Sequence, residues 1–314
     1  MKFTNKYNLP LPLCRAIEHQ AEAHSRGMAF RSCTELIDSP LVFYLNRTYW
    51  DQIEVDYSQR LWMLFGSIAH TIPEKFSDPE AGHFAEFKLS AEYEVDGEVF
   101  YISGTSDHVE SSGRQDDYKF TSVYSGSKVA KDDWISQQNV YRSLMLKSED
   151  PVIREIGEGI KEMNICAMLR DWSIRHRMQN IPPVVMHRLP MWTPEDTEEF
   201  IKGRIRVHRD AERSDNTPAC CTEKERWISD ESYAVMKQGV KRAKKLFKSE
   251  DYGGDLEAAG QEAQAFVDSH KDKDLMEVVL RKSEPRRCQE YCDVARFCPY
   301  FTTEEEKENQ EIDW

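Results

Sequence analysis

The sequence has no apolar run approaching the roughly 20 residues that a membrane span requires. Its opening stretch, MKFTNKYNLPLPLCR, lacks the hydrophobic centre of a secretory signal. Both absences lead us to expect a cytoplasmic protein with no membrane partner. Positive charge is also scarce: 42 Lys and Arg face 56 Asp and Glu, for a net charge of −14. That balance argues against a generally adhesive nucleic-acid binder, because phosphate contacts need Lys and Arg. It leaves room for a nuclease with acidic metal ligands and a locally basic path. Lys241–Lys245, Arg281-Lys282, Arg286-Arg287 and the stretch Arg170 to Arg177 are the candidate patches, though each also reads as a solvated face. There is no internal repeat. Disulfides are not expected in a reducing compartment, so the eight cysteines should be thiols or metal ligands. Five of the eight lie after residue 219.

What is present is enough for one large α/β domain with an annex. Residues 11 to 48 read as helical. SQRLWMLFGSIAHTIPEKF repeats Leu61, Leu64, Phe65 and Ile68 at helical spacing, with Ser58 as the expected N-cap and Pro73 as terminator. Asp96-Gly97 between two alternating runs predicts a β-hairpin. SSGRQ predicts a second turn, and DDYKFTS a returning strand. KDDWISQQNVYRSLMLKS reads as a helix with Trp134, Tyr141, Leu144 and Met145 as its apolar stripe. NICAMLRDW and VVMHRLPMW read as strands, and Thr193-Pro194 as a helix start. We expect an α/β core with N-terminal helices over 1–212, a helical region over 213–301 and a disordered acidic tail over 302–314.

The segment GTSDHVESSGRQDDYKFTS holds the densest chemistry. Side chains at i and i+2 share one face of a strand, so Asp117 and Lys119 point together. Asp107 sits on the preceding strand. Two carboxylates suit Mg²⁺ or Mn²⁺, and a nearby lysine can orient or deprotonate a water and offset phosphate charge. Gln137 and Tyr141 stand four apart on the next helix, hence on one face. His70, four residues after Gly66, can add an imidazole, and Glu86 precedes the hairpin. Taken singly, each of these has an ordinary packing or surface role.

Together, the order His70, Asp107, Asp117-x-Lys119 and Gln137-x-x-x-Tyr141 resembles the PD-(D/E)XK nuclease superfamily, within it the RecB-like exonuclease branch. The resemblance covers roughly residues 30 to 145, and LFGSIAH, GEVFYISGTSD and RDW also look like phage members of that branch. Asp117 departs from the commoner Glu. The resemblance implies a restriction-endonuclease-like fold, with a central mixed sheet flanked by helices. It implies a metal-dependent DNA exonuclease working on single- or double-stranded DNA ends in phage or mobile-element recombination, with a recombination protein as partner. His70, Glu86, Asp107 and Asp117 would hold the metal, Lys119 would position water, and Gln137 and Tyr141 would orient the strand. The alternatives are a DNA-binding or assembly protein with a slow or vestigial site, and an endonuclease on the same fold.

Cys288-x3-Cys292-x5-Cys298 is the second dense signal. Four thiolates hold either an iron–sulfur cluster or a structural zinc, and the spacing does not separate them. RecB-like exonucleases often carry a 4Fe-4S cluster on a C-x2-C-x5-C tail, so the resemblance favours the cluster over Zn²⁺ despite the longer first gap. The fourth ligand is open. Cys221 or its neighbour Cys220 is the first choice, then Cys33, then Cys14, and Cys166 reads as a core residue.

Overall fold

A computed structural model describes residues 1–23, 28–214 and 216–301. The acidic segment from residue 302, expected to be disordered, lies outside them. The chain forms two units, Met1–Pro218 and Ala219–Trp314.

The first unit begins with β1 (Lys2–Thr4), α1 (Leu11–Ala23), β2 (Arg31–Ser32), α2 (Cys33–Ile37), α3 (Pro40–Tyr49) and β3 (Glu54–Asp56). The stretch expected to be one helical region is thus broken by a short strand. Ser32 ends that strand and caps α2, closing a capping box with Glu35. β1 and β3 pair in parallel as a separate two-stranded sheet. α4 (Tyr57–Lys75) starts one residue after Asp56, which replaces Ser58 as the cap. Asp56 accepts from Ser58 N–H at 3.0 Å, and its own N–H donates to the Gln59 side chain at 2.9 Å. Pro73 falls in the last turn, where a missing N–H costs little, and the helix closes three residues later with Phe76 N–H on Pro73 O.

The main sheet follows. β4 (His83–Val95) and β5 (Glu98–Glu110) form the expected hairpin. Asp96 and Gly97 have φ of 52° and 81°, the left-handed pair a two-residue turn demands. β6 (Arg114–Thr121) is antiparallel to β5. The chain then passes through α5 (Val123–Gly126), α6 (Asp132–Leu146) and α7 (Pro151–Gly159) into β7 (Glu162–Leu169), parallel to β6. α8 (Ile174–Arg177) leads to β8 (Val184–Leu189), antiparallel to β7, and α9 (Pro194–Arg213) begins at the Thr193 cap. The result is a mixed six-stranded sheet with helices packed on it, an α/β fold. Ile102, Ile165, Ala167, Val140, Leu144, Met145, Ile201 and Ile205 fill the space between sheet and helices.

Arg31 ties this layer together while almost wholly buried. Its guanidinium stacks 3.6 Å from the Phe43 ring centre, pairs with Glu212 at 2.7 Å and donates to His208 Nδ1 at 3.2 Å. Burial first, then the charges of Arg31 and Arg204, push the His208 pKa down to about 4.

The second unit corrects the expectation of an all-helical C-terminal region. β9 (Ser232–Lys237), β10 (Lys245–Lys248) and β11 (Met276–Arg281) form an antiparallel sheet in the order β10–β9–β11. α10 (Leu256–Asp268) packs on it through Ala259, Ala263 and Val267 against Val235 and Phe247. Short β-branched runs such as YAVM and EVVL pair across the sheet, and Lys241 to Lys244 occupy the β9–β10 connection. α11 (Arg286–Glu290) carries the first tail cysteine. Among the described residues, no helix is long and apolar enough to cross a membrane.

Candidate metal centre

β5 is long enough to serve three neighbours. β4 takes one edge over the whole length of the hairpin. The other edge is shared: β2 pairs at Ile102 and Ser103, and β6 pairs only at His108 to Glu110. Between those contacts the strands part, and Asp107 sits at the parting. Tyr118 N–H, which has left the ladder, donates instead to Asp107 Oδ2 at 2.9 Å. Glu86 stands opposite Asp107 on β4. The ladder steps from Ala85–His108 to Phe87–Ser106, and the Glu86 φ is 51°. A left-handed glutamate in a strand costs on the order of 1–3 kcal/mol. α4 brings His70 over the same spot, its Nδ1 3.0 Å from Asp107 Oδ2. Donor atoms of His70, Glu86 and Asp107 lie within 4.8 Å of one another.

Beside this trio stand Gln115, Asp117 and Lys119, on one face of β6 at period two. Asp117 is buried. Lys119 Nζ donates to Asp117 Oδ1 at 3.0 Å and to Gln137 Oε1 at 2.9 Å. Gln137 Nε2 in turn donates to the Tyr141 hydroxyl at 2.8 Å. Gln138 Nε2 donates to Asp117 Oδ1 at 3.1 Å, and Gln115 Nε2 fixes Gln138 by donating to its Oε1 at 2.6 Å. Asp117 Oδ2 is buried and, although 2.7 Å from Lys119 Nζ, accepts no hydrogen bond. The close approach is an ion-pair contact with poor hydrogen-bond angles. Oδ2 is thus ion-paired but not hydrogen-bonded.

The electrostatics follow from crowding. Burial first, then the Asp107 charge in opposition to Lys119, raises the Asp117 pKa to about 6. Burial and the Asp107 charge also raise Glu86. For His70, burial opposes protonation, but the Asp107 hydrogen bond and the nearby carboxylates outweigh it and raise the pKa. Lys119 behaves likewise: burial lowers its pKa, and the charges of Asp117 and Asp107 more than restore it. Two acidic groups, Glu86 and Asp117, and the His70 imidazole thus hold protons more tightly than usual, which is the condition a divalent cation relieves. Hard carboxylate oxygens, one of them buried and ion-paired but not hydrogen-bonded, with one imidazole fit Mg²⁺ or Mn²⁺.

The structure brings His70, Glu86, Asp107, Asp117, Lys119, Gln137 and Tyr141 into one neighbourhood, although Asp117 stands outside the closest trio. Tyr141 is placed differently from a substrate-facing residue. It is buried under Gly104, where an added Cβ would meet its ring at 2.7 Å. Its hydroxyl supports Gln137, which supports Lys119. Sequence reasoning missed Gln115 and Gln138. The signals for them were the period-two spacing of Gln115 with Asp117 and the Gln137-Gln138 doublet. Cys33, considered as a cluster ligand, is buried behind Gln137 with its thiol toward Gln137 O at 3.8 Å. Burial pushes that thiol far above the ordinary range. Cys14 has its thiol against Leu9 O at 3.6 Å, and Cys166 lies on β7.

The remaining five cysteines, all in the second unit, fall within electrostatic reach of each other. Burial chiefly raises the Cys288 thiol, with Cys298 and Cys220 adding to it. Burial again leads in raising Cys292 to about 11, with Cys288 and Cys221 among its neighbours, and Cys298 feels Cys220 after burial. Cys220 and Cys221 are thus the candidates that stand near the tail set, though no three cysteine sulfurs among the described residues close within 4.8 Å.

No family model matches the chain, and no curated protein matches it. Among solved structures, the crystal structure of SSO0001 aligns with a TM-score of 0.45 at 15% identity, covering 68% of this chain and 88% of that one.

Proposed function

We propose that the chain is a metal-dependent deoxyribonuclease of the RecB-like PD-(D/E)XK type, on a restriction-endonuclease-like core, that hydrolyses DNA from its ends. The observation that carries this reading is the meeting of Asp107, Asp117 and Lys119 beside His70 and Glu86, with Asp117 Oδ2 lacking a donor. His70, Glu86, Asp107 and Asp117 would hold Mg²⁺ or Mn²⁺. When bound, such an ion polarises a phosphoryl oxygen and makes water a better nucleophile.

The protein's own groups then have definable tasks. Lys119, kept cationic by Asp117 and Asp107, donates hydrogen bonds and offsets charge developing on phosphate; it has no lone pair to act as a base in that state. Gln137, held by Tyr141, fixes the direction of the Lys119 ammonium. The acidic surface needs a local path for DNA. Arg170 stacks 4.5 Å over the Trp62 ring on α4, and Trp62 and Phe65 expose aromatic faces on which bases can stack. Cys288, Cys292 and Cys298, with Cys221 or Cys220, would hold an iron–sulfur cluster or zinc as a structural staple of the second unit.

The test is incubation of pure protein and Mg²⁺ with end-labelled linear DNA and with covalently closed circles. Linear DNA should be degraded and circles spared. Asp107→Ala, Asp117→Ala and Lys119→Ala should each lower the rate by about 10²–10³ or more. Rapid cutting of circles would move the reading to an endonuclease, and parental activity in Asp117→Ala would remove the site assignment.

A further inference from the structure

A second cluster of metal-ligating side chains lies on the opposite face of the same strands. Along β5, Asp107 points to the candidate centre, so His108 and Glu110 point away from it. His83 opens β4 and pairs in register with Glu110, while His108 sits one side-chain repeat further along the same ladder. Donor atoms of His83, His108 and Glu110 lie within 4.8 Å of one another. The two imidazole rings are nearly parallel, 5.7 Å between centres and 10° apart.

Each ligand is oriented by a neighbour. His108 Nδ1 lies 3.3 Å from Asp116 Oδ2. Asp116 is itself fixed by Arg114 Nε at 2.8 Å and by Asn164 Nδ2 at 3.1 Å. A carboxylate acceptor at Nδ1 keeps the proton there and leaves Nε2 as a lone-pair donor, the arrangement that metal-binding histidines use. Ser112 Oγ donates to Glu110 Oε2 at 2.9 Å, which leaves Oε1 toward His83 at 4.0 Å. All three ligand side chains are partly exposed, so an ion can enter and keep water in a remaining position.

We propose that His83, His108 and Glu110 form a second metal site, separate from the centre at Asp107, that takes a borderline divalent transition-metal ion such as Zn²⁺ or Co²⁺. Two imidazoles and one carboxylate favour such ions over Mg²⁺, which prefers an all-oxygen octahedral shell. The bound ion links the start of β4 to the end of β5. This assignment does not depend on the nuclease reading.

The experiment measures bound Zn²⁺ per chain after equilibrium dialysis, for the full-length parent, His83→Ala, His108→Ala and His70→Ala, each with excess Mg²⁺ present. Co²⁺ spectra in parallel separate this site from the cysteines, since thiolate ligands add near-ultraviolet charge-transfer bands that nitrogen and oxygen ligands lack. The parent and His70→Ala should each retain one equivalent that His83→Ala and His108→Ala lose, without change in the thiolate bands. Equal Zn²⁺ content in the parent and His83→Ala would overturn the proposal, as would loss of that equivalent to Mg²⁺. His83 is the more exposed histidine, so its variant keeps the test decisive if His108→Ala fails to fold.

Discussion

At the residue scale, Glu86 concentrates the conflict between folding and chemistry. Its φ of 51° is unfavourable for any side chain with a Cβ, and its carboxylate is crowded against Asp107. Replacing it with glycine removes both penalties. Glu86→Gly should therefore melt no lower than the parent, and by up to about 1 kcal/mol higher. Mn²⁺ affinity, followed by electron paramagnetic resonance titration, should fall. Lower stability with unchanged Mn²⁺ binding would show that Glu86 serves packing instead. His208 provides a contrasting, purely structural case. Unfolded, it titrates near 6.5; folded, burial and the charges of Arg31 and Arg204 hold it down to about 4. Between those values the unfolded chain binds a proton that the folded chain refuses. Stability should thus be unaffected by this group at neutral pH and should fall as pH drops through that window, by about 3 kcal/mol in all. Denaturant midpoints measured across the window should show the slope, and His208→Gln should flatten it.

At the scale of elements, α6 is the least typical helix. It buries Ser136, Gln137, Gln138, Asn139 and Ser143 alongside Trp134, Leu144 and Met145. Buried amides are costly unless bonded; here Gln137 and Gln138 are spent on Lys119, Tyr141 and Asp117, and Asn139 on the backbone of Ile135, Pro190 and Trp192. β5 accommodates the helix through Gly104, beneath the Tyr141 ring. Gly104→Ala should cost about 1–3 kcal/mol by overpacking, and it should lower DNA cleavage by displacing Tyr141 and with it Gln137. Gly66→Ala on α4 is the control. Nothing lies within 4 Å of that added methyl, so helix propensity should raise stability by about 0.5–1 kcal/mol. Thermal melts of the two variants should move in opposite directions. The α4 stripe of Leu61, Leu64, Phe65 and Ile68 was legible as a helix from its spacing, but its burial was not. Phe65 and Ile68 are exposed, and no residue of α4 is buried. Periodicity specifies which residues share a face and is silent on what covers it.

At the scale of the molecule, the two units have separate cores. The core of the second is small, with Val235, Phe247, Ala259, Ala263 and Val267 at its centre. Its cysteine-bearing end has little apolar material, so metal–thiolate bonds would supply folding free energy there. Two thermal transitions are expected. Removing thiolate-bound metal, or replacing Cys292 with serine, should lower only the transition of the second unit. Scanning calorimetry with circular dichroism distinguishes this from a single cooperative melt, which would contradict it.

Local chemistry sufficed to specify the hairpin at Asp96-Gly97, the strands around Asp107, Asp117 and Ile165, the capped helix after Thr193, and the two helices bearing His70 and Gln137. Each rests on a turn dipeptide, a period or a cap, and those act within a few residues. The same local rules failed for the second unit, whose short strands carry too few residues for a clear alternation and become a sheet only when they pair. Which groups meet was decided by tertiary structure. The β5–β6 parting at Asp107, the left-handed Glu86 opposite it, the Gln115–Gln138 support behind Asp117, and the His83–His108–Glu110 cluster all depend on strand register. Register aligns residues far apart in the chain, and no local pattern records it.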